Sequence, residues 1–394
     1  MRPIHPFPAR MAPDVISRWL AELPNNSVVL DPMCGSGVVL RQARAAGHRA
    51  YGFDVDPLAV LMSRVWTSGA DVSELPMLAE RVVRDARSRR ARYTSIPAVA
   101  SCAETKSFVE YWFAEPQRTM LARISHSLMA QRETLDRHHL DALLLCLSRT
   151  IVTKHAGASL AWDVSHSRPH KKRETNDYDV GLGFIRAARR IADLLSAEDN
   201  SAPARVARGD CRSLDAIQSG AADAIITSPP YLNAIDYLRG HRLALVWMGF
   251  TIPYLRNVRA TAVGTENSAN ALRDGDALVQ DIETAMPGIA ALPQRNRRIV
   301  HKYASDSRAM LAEMRRLLKP GGTLVLVLAD SIVRGIEVQS SAIFGRVATQ
   351  QGFRPRAREV RDIPQDRRYL PIHSSSQALA RRMKHEIIQV FEAA

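Results

Sequence analysis

At 394 residues, 46% hydrophobic and 24% charged, the chain can bury one large core or two ordinary ones and has the balance of a soluble globular protein. No apolar run approaches the roughly 20 residues of a membrane helix, and the N-terminus lacks the apolar region of a secretory leader. The net charge of +14 points to polyanions, nucleic acid first, although the excess of Arg over Lys fits a compositional bias as well.

The four cysteines, Cys34, Cys102, Cys146 and Cys211, are widely spread. Without a C-x-x-C pair they argue against a zinc site, so no metal is expected, and for reduced thiols in a cytoplasmic protein.

In chain order, His5 to Pro13 is kept extended by its prolines, and Asp14 to Leu20 has the spacing of a short amphipathic helix. Ser27 to Gly37 then reads as strand, glycine loop and helix start, with the helix running from Val38 to Ala46. The loop is neither the G-x-G-x-x-G dinucleotide pattern nor a P-loop. Gly35 and Gly37 let backbone approach a ligand closely. Asp31 at the strand end disfavours phosphate and suits a cationic or amine-bearing ligand. A second strand, Arg49 to Phe53, ends at Asp54, where an acid usually meets ribose hydroxyls. The pocket therefore suits a nucleoside with a cationic or zwitterionic tail and no phosphate; S-adenosylmethionine fits that description.

Residues 72–203 lose this alternation and read as a mostly helical insertion, with DNA contact and a separate subdomain both open. Arg81 to Arg92 is a basic helical run, and Ser107 to Met129 and Leu135 to Val152 carry helix-spaced apolar residues. Trp162 to Arg173 has no apolar periodicity. It reads as an exposed loop and is the local candidate for nucleic-acid contact through Arg168, His170, Lys171 and Lys172. Asp179 to Leu195 resumes as an amphipathic helix.

The α/β pattern returns at Ala204 to Ala207, closed by Gly209-Asp210. Ala222 to Ile226 is a buried strand, and Thr227-Ser228-Pro229-Pro230-Tyr231 follows. Two prolines without N–H groups cannot extend the ladder, so the chain leaves the sheet with its carbonyls turned outward beside an aromatic ring. Such a turn at a strand's carboxyl end suits a flat molecule bearing an amino group. Residues 232–300 read as a long irregular loop. A helix over Ala304 to Leu318, stopped by Lys319-Pro320-Gly321-Gly322, precedes a strand over Thr323 to Ala329. A helix over Ser340 to Gln351, the basic stretch Arg354 to Arg368 and a last strand, His385 to Phe391, complete the sheet.

These residues together resemble the S-adenosylmethionine-dependent DNA amino-methyltransferases, which modify N4 of cytosine or N6 of adenine. Asp31-Pro32-Met33-Cys34-Gly35-Ser36-Gly37 is similar to their cofactor motif, and Thr227 to Tyr231 to their catalytic motif in its Ser-Pro-Pro-Tyr form. Lys319 to Gly322 resembles the common turn into the fifth strand. The resemblance covers residues 1–70 and 204–394. It implies an α/β, Rossmann-like class I methyltransferase sheet split into 1–71 and 204–394 around the insertion at 72–203. For the cofactor it implies Phe7 and Pro8 at the methionine end, Pro32, Cys34, Gly35 and Gly37 in the loop, Asp54 at the ribose and Asp210 beside the adenine. Ser228 and the Pro229 carbonyl would accept hydrogen bonds from the target amine, with Pro230 completing the turn and Tyr231 stacking on the base. Asn233, Asp236 and Tyr237 would help hold a base flipped out of double-stranded DNA.

The resemblance favours N4 of cytosine, because Ser stands at the head of the motif. It implies a nucleoid-associated protein and leaves a homodimer and a cognate restriction enzyme open. The cofactor motif also resembles that of RNA guanine-N2 methyltransferases, so RNA methylation is an alternative. A non-catalytic nucleic-acid-binding protein with the same fold is a second.

Overall fold

The computed structural model describes residues 3–7, 11–162, 164, 169–196, 202–232, 237–265, 275–363 and 385–394. Val28–Asp31 (β1), Arg49–Asp54 (β2), Ala204–Arg208 (β3), Ala222–Thr227 (β4), Leu318–Leu328 (β5), Phe353–Asp362 (β6) and His385–Ala393 (β7) form one seven-stranded sheet. The order is β6-β7-β5-β4-β1-β2-β3. All pairs from β5 to β3 are parallel, and β7 runs antiparallel to both β5 and β6. From β1 the chain first builds outward through β2 to β3, then returns to β4 on the other side. The order therefore reverses between β1 and β4, which opens a crevice at their carboxyl ends. This is the Rossmann-like α/β sheet expected from the sequence.

The central strands are buried on both faces, as parallel strands under helices must be. Val29, Ile226, Val325 and Val327 enter one core, whereas Leu30, Ile225, Leu324 and Leu326 enter the other. The edge strand β6 exposes Arg354, Arg356 and Arg358. The basic stretch expected after Arg354 thus lies largely on a sheet edge, where charged side chains discourage further pairing.

The insertion is mostly helical, with helices Leu75–Ser88, Ala103–Trp112, Glu115–Ala130, Arg137–Ile151 and Val180–Ser196. The apolar run read as continuous over Ser107 to Met129 is two helices, broken at Phe113-Ala114, because Pro116 fits only the first turn of the second. These helices share one continuous core with a face of the sheet, instead of building a separate one. Phe113 packs edge-on against buried Trp247 at 5.1 Å and 88°, and the Ser125 hydroxyl donates to the Trp247 carbonyl.

Three expectations are corrected. The long loop at 232–300 contains helices Leu238–Leu245, Ile252–Thr261 and Ala277–Ala285. The Thr251 and Asp276 side chains cap the last two by accepting from backbone N–H groups. The interleaved Arg239, Arg242, Arg256 and Asn257 hid the buried spacing of Leu238, Leu243, Leu245, Ile252 and Leu255. The helix expected from Ala304 begins at Gln294 and ends at Leu317. Strand β5 then starts at Leu318, but its register jumps from Ala222↔Leu318 to Ala224↔Thr323. Lys319 to Gly322 is thus an excursion within the strand. Finally, Trp162 to Arg173 contains an antiparallel ribbon pairing Ala161–Trp162 with His170–Lys171. No helix among the described residues is long and apolar enough to cross a membrane.

The Phe113–Trp247 contact joins the insertion to the segment that follows the Ser-Pro-Pro-Tyr turn. Phe113→Ala should destabilise the protein by about 3–5 kcal/mol. Chemical denaturation should show the midpoint falling for the insertion and the sheet together; a separate early transition of the insertion would contradict the shared core.

Candidate active site

The two halves of the site meet at the switch point. Asp31 ends β1 and Thr227 ends β4, and the Thr227 hydroxyl donates to Asp31 Oδ1 at 2.7 Å. The Met33 amide donates to the same oxygen at 3.1 Å. Burial pushes the Asp31 carboxyl up to about 7, and the neighbouring Asp54 adds to the effect.

The glycine loop is held from beneath. Gly35 N–H donates to Asp54 Oδ2 at 2.9 Å, and Asp56 N–H donates to Asp54 Oδ1 at 2.9 Å. Burial raises Asp54 to about 6, with Asp56 contributing. Gly37 sits at φ +86°, where a Cβ would come within 2.9 Å of Ser63 Oγ and 3.1 Å of Ser63 Cα. A side chain is therefore barred both by conformation and by the helix Pro57–Trp66 behind the loop. The Ser63 hydroxyl donates to the Gly35 carbonyl at 2.9 Å. Pro32 and Cys34 are buried in the loop, and burial holds the Cys34 thiol well above its usual range, so it is a neutral packing group.

Phe7 closes the loop from the N-terminal side; a Cβ on Gly35 would lie 3.2 Å from its ring. His5 anchors this segment. Its Nδ1 donates to the Pro6 carbonyl at 2.8 Å, which leaves Nε2 to accept from the Ser148 hydroxyl at 2.9 Å. Burial, then Arg149, holds the ring neutral. Pro8 lies outside the described residues.

Half-buried Tyr237 stacks on Phe7, centroids 4.6 Å apart and planes at 17°. Buried His241, one helical turn on, also packs on Phe7 and places Nδ1 2.5 Å from Asp56 Oδ2. Asp56 caps the helix Pro57–Trp66 with its other oxygen.

Asp210 lies beyond β3, but its carboxylate is already engaged. Arg212 donates through Nε to Oδ1 at 2.9 Å and through Nη2 to Oδ2 at 2.6 Å. Burial opposes the charge, yet these bonds hold Asp210 below the usual carboxylate range. Arg212 also reaches Asp306 at 2.7 Å and the Thr261 carbonyl at 2.6 Å.

The turn after β4 is braced at several points. The Ser228 hydroxyl donates to the Val327 carbonyl of β5 at 3.1 Å. Buried Tyr303 donates its hydroxyl to the Pro230 carbonyl at 3.0 Å, and Ser331 donates to the Leu232 carbonyl at 2.7 Å. No described residue donates to the Pro229 carbonyl. Tyr231 is half-buried with its hydroxyl 3.4 Å from Ser228 Oγ, a long contact, and burial pushes its phenol upward. Since the Ser228 hydrogen is directed at Val327, the lone pairs of Oγ remain able to accept.

The structure thus gathers Phe7, Asp31, Pro32, Cys34, Gly35, Gly37 and Asp54 around one loop, with Ser228 to Tyr231 in the turn that follows the adjoining strand. His170, Lys171 and Lys172 lie apart on the insertion ribbon, and Arg168, Asn233 and Asp236 are outside the described residues. Sequence reading missed Tyr303, His241 and Arg212. Tyr303 and His241 act on residues far away in the chain, and Arg212 joins its near neighbour Asp210 to distant Asp306; no spacing pattern marks such contacts.

No protein-family model matches this chain. It is similar to the Type II methyltransferase M.AvaI of Nostoc sp., 23% identical over 393 residues covering 86% of this chain and 76% of the relative. It is also similar to the Type II methyltransferases M.BsoBI of Geobacillus stearothermophilus, 21% identical over 84% of this chain and 74% of the relative, and M.MvaI of Kocuria varians, 19% identical over 87% and 80%. Among solved structures, a SAM-dependent methyltransferase from Methanosarcina mazei is a distant likeness, with a TM-score of 0.34 and 8% identity over 97% of each chain.

The raised Asp54 has a definite pH signature. Its folded pKa lies above the unfolded value, so its contribution to stability is present below about pH 4 and is lost as pH rises through about 6. In ligand-free protein, wild-type stability minus that of Asp54→Asn should fall by ~2–3 kcal/mol from about pH 4 to about pH 7. A pH-independent difference would show that the acid titrates normally.

Proposed function

We propose that this chain is an S-adenosylmethionine-dependent DNA amino-methyltransferase that modifies N4 of cytosine in preference to N6 of adenine. The observation that carries the reading is the Ser228 hydroxyl, which follows the switch-point strand and gives its hydrogen to Val327, leaving an acceptor next in the chain to the Pro229 carbonyl, to which no described residue donates.

The loop residues fit the cofactor. Gly35 and Gly37 form a cradle that side chains would fill, and buried Asp31 and half-buried Asp54 are acids whose charge a cationic ligand would stabilise. Bound there, S-adenosylmethionine supplies an electrophilic methyl group. Asp54 would meet the ribose hydroxyls, Asp210 the adenine amine beside Arg212, and Phe7 the methionine end. The similarity to three Type II methyltransferases supports methyl transfer.

An exocyclic amine is a weak nucleophile because its lone pair is delocalised into the base. Ser228 Oγ and the Pro229 carbonyl would accept its two N–H bonds and favour a pyramidal nitrogen with an available lone pair. Tyr303 and Val327 fix the positions of these acceptors, and Tyr231 offers its ring to the base. Catalysis of this kind works through positioning and electrostatics. The base would be flipped from duplex DNA to reach the turn. Cytosine is preferred because Ser heads the motif.

Ser228→Ala should lower kcat for transfer of labelled methyl groups to duplex DNA about a hundredfold or more, as loss of one positioned polar contact does elsewhere. Binding of S-adenosylmethionine, followed by calorimetry, should change less than about twofold, since Ser228 does not line the glycine loop. Wild-type turnover in the variant would overturn the assignment.

A further inference from the structure

The insertion carries a surface that the site does not use. Tyr111 and Trp162 are 54% and 51% exposed, unusual for side chains of that size. Each has a cation beside its ring: Lys171 Nζ is 5.3 Å from the Tyr111 centroid, and the Arg173 guanidinium carbon 5.8 Å from the Trp162 centroid. The ribbon places these groups together. Trp162 pairs with His170 and Ala161 with Lys171, while Lys172 N–H donates to the Leu160 carbonyl at 3.0 Å. Leu160 N–H in turn donates to the carbonyl of Trp112, the neighbour of Tyr111, at 2.8 Å.

A ribbon this short is not stable alone, so its fixed position comes from its supports. Asn176 donates to the Gly157 and Ser159 carbonyls at 2.8 and 3.1 Å, and Gln117 donates to the Asn176 carbonyl at 2.9 Å. Ala158 N–H donates to Thr150 at the end of the helix Arg137–Ile151. That same helix end holds the N-terminal segment through Ser148 on His5 and Arg149 on the Ile4 carbonyl. The patch is therefore rooted beside the segment that carries Phe7 onto the glycine loop.

We propose that this patch is a DNA-binding face in which Trp162 and Tyr111 stack on bases while Lys171, Lys172 and Arg173 meet phosphates. The proposal rests on DNA being the substrate. An exposed ring flanked by cations suits nucleic acid, because the ring stacks on any base and the cations meet the backbone. Among the described residues, Lys171 pairs with Glu174 at 2.7 Å. That acid is itself 86% exposed, so water screens the pair and a phosphate can displace it.

The test is fluorescence anisotropy of the full chain on a labelled duplex across a salt series, alongside calorimetry with S-adenosylmethionine and methyl transfer to DNA. Trp162→Ala should weaken DNA binding about tenfold with an unchanged salt slope, and Trp162→Phe should restore it. Lys172→Ala with Arg173→Ala should lower the slope of log K against log salt by about 2. Cofactor affinity should stay at the wild-type value in all variants. If the variants bind and methylate DNA as wild type does, the patch is not a DNA face, although the DNA reading stands. Equal loss in Trp162→Ala and Trp162→Phe rules out stacking. If wild type neither binds nor methylates DNA, the proposal falls together with the substrate reading.

Discussion

The site depends on one buried contact, the hydrogen bond from the Thr227 hydroxyl to the Asp31 carboxyl. These residues end the two strands between which the sheet order reverses. One leads into the glycine loop and the other into the Ser-Pro-Pro-Tyr turn. Any ligand on the loop and any ring held by the turn are therefore brought face to face by a bond that solvent does not reach. The carboxyl is held near neutrality by burial, so a cationic ligand gains more here than at an exposed acid. The local cost of desolvating Asp31 and Asp54 would favour a positively charged ligand, as the proposed function requires.

Around that contact the protein restricts motion through pairs distant in sequence. Val327 and Tyr303 grip the Ser-Pro-Pro-Tyr turn from the fifth strand and the long helix before it. Asp54 holds the loop through the Gly35 amide, and His241 packs the N-terminal segment while facing Asp56. Tyr237, which follows the turn, lies on Phe7, which touches the loop. The segment after the turn and the segment beside the glycine loop thus share an aromatic stack, and displacement of either ring would be felt at the other.

What the sequence disclosed and what it concealed follow from the range of the forces involved. Strand ends, the glycine loop and the Pro-Pro turn are local chemistry, so Asp31, Gly37, Asp54 and Ser228 were legible from neighbours alone. The helices within 232–300 were not, because the interleaved Arg239, Arg242, Arg256 and Asn257 masked the buried positions of Leu243 and Leu255. The Arg212–Asp210–Asp306 network was hidden for a different reason: it links a strand end to a helix far along the chain. The ribbon at Trp162 was read as an irregular loop because its order comes from Asn176 and Gln117, not from its own pairing.

The central claim is that the turn at Ser228 holds the amino group of a DNA base. The most direct measurement is mass spectrometry of nucleosides from a methylation-free bacterial host expressing the protein. The account predicts N4-methylcytosine in the DNA, and none when the host carries the Ser228→Ala form. Unmodified DNA together with N2-methylguanine in the RNA would contradict it.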